Sequence, residues 1–306
     1  MNDFAFLLIL TLKSSMAVLL AAQGEVLAER AGVINLGQEG LMLMGALTGF
    51  YVGFSTGSPV LAFAAAGAMG SLLACLHGFF AIRLGANQLL SGIALSILGT
   101  GLSNYLGRGL IGKIGPRVQE TAIPYLSDIP FIGPVLFKQN ALVYVGIVVA
   151  LTLWFFLTRT RMGLMVRACG ENPAAADAMG TPVGRVRLAA LCTGGFLSGM
   201  AGAYLSLVFT PGWKEGISGG QGWIAVAIVI FAGWRPMGAF FGALFFGFLS
   251  ALQFFFQATG THIVPLYVLR ILPYILTILT LSLAAALGRR GNAPAGLGKP
   301  YFREHA

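Results

Sequence analysis

Residues 139–187 read QNALVYVGIVVALTLWFFLT and then RTRMGLMVRACGENPAAADAMGTPVGRVR. The first part is uncharged and, at about 1.5 Å per helical residue, long enough to cross the roughly 30 Å hydrocarbon core of a bilayer. The second part, Arg159 to Arg187, is a basic polar island with its own helix start and stop. Asn172 before Pro173 supplies an N-cap followed by proline at the first helical position. Ala174-Ala175-Ala176-Asp177-Ala178-Met179 has high helix propensity. Gly180, with Pro182 two residues later, ends the turn. So short a helix is marginal alone and must pack on its own spans or in a partner's groove. An ordinary loop that folds locally is the plainer alternative. A membrane protein that offers such a surface to something soluble is expected to be driven by a partner.

Composition extends this reading to the whole chain. Hydrophobic residues make up 57% of the 306, charged residues 9%, against about 25% charged in a soluble domain. The 43 glycines suit close helix approach in lipid. Spans are expected near 4–24, 38–57, 59–82, 87–107, 139–158, 187–209, 222–235, 237–257 and 264–287. The span at 222–235 is short, so eight to ten crossings are expected. The fold class is all-α, a polytopic membrane bundle forming one domain over 1–288. Residues 289–306 read as a disordered tail. Met1–Ala22 lacks a basic n-region and carries Asp3 and Lys13, so it reads as an uncleaved first span.

Charge sets the sidedness. Of the 19 Lys and Arg, those on the island's side outnumber those on the other side by more than two to one. The positive-inside rule then places the island and the C-terminus in the cytoplasm of an inner (plasma) membrane protein. The net charge of +9 follows from topology, so nucleic acid is not expected as a partner. Cys75, Cys169 and Cys192 are scattered, which argues against a metal site or a disulfide framework. No P-loop occurs, so any ATP must be hydrolysed on another chain.

Polar groups inside spans are candidates for a solute pathway. Asn35, Gln38 and Glu39 lie among glycines, which suits a broken helix facing a cavity. The alternative is a helix N-terminus with Glu39 in its first turn. Asn87 and Ser91 are spaced to share a helix face, with Gln88 beside them. They are expected either to present amides and a hydroxyl to a solute or to bridge two helices. His77 reads as a packed residue, and Lys13 as an interior or snorkelling charge.

An enzyme reading rests on Gly216-Ile217-Ser218-Gly219-Gly220, which fits G-x-S-x-G by letter and resembles the serine string of intramembrane proteases. Ser218 would then need His262, in another loop. A Gly-rich outer turn is the simpler reading. A passive channel or secondary transporter is a further alternative, in which the island has no assigned role.

Four stretches carry a family resemblance: Glu29 to Ala46, Gly85 to Leu95, Gly220 to Ala227 and Gly233 to Ala239. In that order they resemble the hallmark segments of the branched-chain amino acid and ribose permease superfamily of ABC importers. Within it they are most similar to nucleoside and simple-sugar permeases. Ala174-Ala175-Ala176 followed by Gly180 resembles the family's Glu-Ala-Ala-xxx-Gly loop, with Ala174 in place of the glutamate. The resemblance implies a permease subunit without its own ATPase site. ATP would act through a partner ATPase subunit docked on the segment Gly170, Glu171, Asn172, Pro173, Ala174, Ala175, Ala176 and Gly180. It further implies a second permease subunit and an extracytoplasmic solute-binding protein. The implied solute is neutral, nucleosides first, ribose-type sugars next and branched-chain amino acids third.

Overall fold

The computed structural model describes residues 3–116, 118–130, 132–259 and 293–303, with isolated positions between 271 and 282. Its helices are α1 (Asp3–Arg30), α2 (Gln38–Thr56), α3 (Pro59–Gly78), α4 (Gln88–Gly107), α5 (Ala141–Arg159), α6 (Arg161–Glu171), α7 (Pro173–Ala178), α8 (Val183–Tyr204), α9 (Gln221–Phe231) and α10 (Pro236–Thr259). π-helical turns extend α3 to Arg83 and α8 to Phe209. Among the described residues, six helices are long and apolar enough to cross a bilayer: α1, α3, α4, α5, α8 and α10. The chain is therefore an all-α polytopic membrane protein.

Two sequence expectations change. The first span runs to Arg30, past residue 24, which brings Glu25 and Glu29 into the helix. The stretch expected to span at 222–235 holds α9, of 11 residues. At 1.5 Å per residue it reaches about 17 Å, little more than half the hydrocarbon thickness. The last expected span, 264–287, lies outside the described residues apart from the isolated positions.

α8 is the hub, packed against α1, α2 and α3. Glycine permits this. Gly194 faces Gly24 of α1, Gly195 faces Gly70 of α3 and Gly199 faces Gly45 of α2, and a Cβ at any of them would collide with backbone. Apolar burial gives little driving force in lipid, so such close backbone packing supplies cohesion. α10 lies along α1, and α4 along α2.

At the end remote from the island, β1 (Glu120–Ala122) pairs antiparallel with β2 (Lys138–Asn140), Glu120 opposite Asn140. Lys13 forms an ion pair with Glu120, so this cation of α1 reaches up to the ribbon.

Candidate functional site

Two polar regions stand out, one at the island end of the bundle and one running inward from it. At the island end, Asn172 Oδ1 accepts from Ala175 N at 3.0 Å and Pro173 opens α7. Gly180 follows with φ +82°, a left-handed conformation that suits glycine. Ala176 packs inward, whereas Ala174, Ala175, Ala178 and Gly180 are exposed and Met179 is 86% exposed. A second helix, α6, precedes α7 and was not foreseen; Thr160 caps it by accepting from Gly163 N at 3.0 Å.

Arg187 fixes this end. It is buried, and its guanidinium donates to Ala31 O at 3.1 Å, Cys169 O at 3.2 Å and Lys299 O at 3.0 Å. One side chain thus joins the end of α1, α6 and the C-terminal tail. The tail expected to be disordered is instead placed over residues 293–303. Ala295 N donates to Glu171, Gly296 N to Gly170 O, and Tyr301 Oη to Asp177 at 3.1 Å. Arg303 pairs with Asp177 at 3.3 Å. Composition suggested disorder, but the tail's backbone and ring groups find partners on α6 and α7. Tyr301 also covers a small cluster of Cys169, Ala176 and Val183. Burial pushes the Cys169 thiol above its usual range, against the opposing pull of Arg187.

From the island end inward, the irregular linker from Ala31 to Gly37 runs beside α4. Ile34 N donates to Gln88 Oε1 at 2.8 Å, Ser96 Oγ to Leu36 O at 2.8 Å, and Gly40 abuts Gly99. Ser96 is eight residues into α4, about 12 Å from its start. Non-helical backbone at this depth is tolerated only inside protein or beside a cavity. Glu25 receives Asn35 N and Gln38 Nε2, and Gln38 Oε1 receives Ser198 Oγ. Glu29 receives the indole N–H of Trp234.

The six pathway candidates do not converge on one cavity. Glu39 caps α9: its carboxylate accepts from Ser218 Oγ, Gly220 N and Gly222 N. Asn35, Gln38 and Gln88 are buried around the linker. Asn87 caps α4, accepting from Leu89 N and Leu90 N, and Ser91 bonds His77, whose other nitrogen meets Ile34 O. Asn87, Ser91 and His77 line a cavity of about 450 Å³ between α3 and α4. Two donors are left over, Asn35 Nδ2 and Gln88 Nε2, buried and without a partner among the described residues.

The serine-protease alternative is not supported. Ser218 is buried in a turn folded into the bundle, not on an outer surface, and donates to Glu39. His262 lies outside the described residues. Sequence reading missed Glu25, Arg187 and Ser198. The four-residue spacing of Glu25 and Glu29 near the end of an apolar run was the available signal for a buried acidic face.

A family model described as branched-chain amino acid transport system / permease component matches residues 7–281. TsgC13 of Haloferax volcanii, provisionally named a glucose ABC transporter permease protein, is 39% identical over 99% of each chain. The guanosine ABC transporter permease protein NupQ of Bacillus subtilis is 35% identical over 96% of this chain and 95% of its own. The nucleoside ABC transporter permease protein NupC of Lactococcus lactis is 33% identical over 92% and 91%. No solved structure matches.

Proposed function

This chain belongs to the permease family of branched-chain amino acid transport systems, and on that premise we propose that it carries nucleosides through the membrane under the drive of a separate ATPase. The observation that carries the coupling claim is α7, a capped helix whose outward face, Ala174, Ala175, Ala178 and Met179, is exposed. An ATPase subunit docks on that face from the cytoplasm, a second permease subunit completes the pathway, and a binding protein delivers solute at the opposite end.

Motion of α7 has a physical route inward. α6 hands it to Gly170, which lies against Arg30 and Gly32, and Arg187 ties Cys169 to Ala31. The linker that follows holds Ile34 and Asn35 against Gln88 and Glu25. Displacing it would bring the amide donors of Asn35 and Gln88 to the solute. Those donors suit the carbonyl and ring-nitrogen acceptors of a nucleobase, and the relatives named for guanosine and nucleoside support this solute. Glucose is the second reading, supported by the Haloferax volcanii relative.

The test uses the assembled complex in proteoliposomes. Gly180→Val strains the left-handed turn by about 1–3 kcal/mol, and Ala175→Asp places a carboxylate on the exposed face. Either variant is expected to insert normally and to lose solute-stimulated ATP hydrolysis. Full stimulation in both would remove α7 as the docking element.

A further inference from the structure

A second cavity lies at the island end, and the transport scheme gives it no role. It holds about 700 Å³ between the ends of α1, α5, α6, α9 and the start of α10. Arg30, Arg167 and Arg235 form one side of it, and Trp154 and Phe241 contribute to the other. We propose that this cavity binds the headgroup of an anionic phospholipid, with the acyl chains lying along α5 and α10.

The charges argue for an anion. Arg30 donates to Trp234 O at 2.7 Å and Gly233 O at 3.3 Å, and its only carboxylate neighbour among the described residues is Glu171 at 3.8 Å. Arg167 and Arg235 have no carboxylate within ion-pair distance among the described residues. Both repel Arg30 as like charges. Arg167 Nε is buried and bonded to nothing there. The start of α10 adds the positive end of its helix dipole. An anion at this point would relieve the repulsion and fill the open donor.

The walls argue for lipid over a soluble anion. Trp154 is 40% and Phe241 63% exposed, both on membrane-crossing helices. Cationic pockets between spans at the membrane surface suit anionic headgroups, and tryptophan favours the same interfacial level. A soluble phosphate would leave that aromatic side unused.

The full chain, purified in neutral detergent and offered equal phosphatidylglycerol and phosphatidylcholine, is read by native mass spectrometry. Phosphatidylglycerol should be retained preferentially. Arg167→Gln and Arg235→Gln should each weaken its retention about fivefold, the share of one cation at the membrane surface. Arg83→Gln, at the same end but outside this cavity, should not. Equal retention in the double variant, or an equal loss in Arg83→Gln, overturns the proposal. So does release of the lipid by inorganic phosphate, which would assign the site to a soluble anion. Loss of ATPase association in the double variant with lipid retention intact would likewise overturn it, making the cavity a protein contact. If the double variant misfolds, the wild type still decides. Brominated phosphatidylglycerol should quench tryptophan fluorescence more than brominated phosphatidylcholine, and Trp154→Phe should erase the difference. Equal quenching by the two lipids contradicts the proposal.

Discussion

Arg187 counts in the sequence as one more cytoplasmic charge, yet it is buried and serves three backbone carbonyls. A charge-assisted hydrogen bond contributes about 1.5–3 kcal/mol, and a buried acceptor left open costs its desolvation. Arg187→Gln can satisfy at most part of the set. It should destabilise the protein by about 3 kcal/mol or more, visible as a lower thermal midpoint in detergent; an unchanged midpoint would contradict the role. Glu39 lies in the first turn of α2, as one of its two sequence readings has it. Its place among glycines was legible, but not its partners, because Ser218, Gly220 and Gly222 are brought to it by the fold from about 180 residues away. Burial and partnership of a polar side chain are tertiary facts, and local pattern does not encode them.

Elements with strong punctuation were legible. Asn172, Pro173 and Gly180 place α7 from the sequence alone, and the cap and the left-handed turn are both present. α6 was missed because Gly163 and Gly170 lower its propensity and its arginines read as loop. The tail was missed because its partners lie on α6 and α7, over 100 residues back. Tyr301 packs on the cluster around Cys169, and burial pushes that thiol above its usual range. With Cys75 and Cys192 replaced by serine, deleting residues 293–306 should let a maleimide label Cys169 roughly tenfold faster, since thiolate fraction and access set the rate. An unchanged rate would mean that the tail does not cover this site.

At the scale of the molecule, the membrane embedding and the helical class followed from long uncharged runs, because lipid forces backbone groups to bond within each segment. The interior did not follow. Apolar periodicity carries no signal for the irregular linker from Ala31 to Gly37 or for the short α9, whose start Glu39 caps. Buried amides and carboxylates hold the break between α1 and α2. In the proposed function, work done at α7 by an ATPase opens a polar route for a neutral solute. The most direct measurement is uptake of radiolabelled guanosine into proteoliposomes holding the permease, its ATPase and its binding protein. Accumulation above the external concentration is expected only when ATP is hydrolysed. Equilibration at the same rate without ATP would contradict it and make the protein a passive conduit.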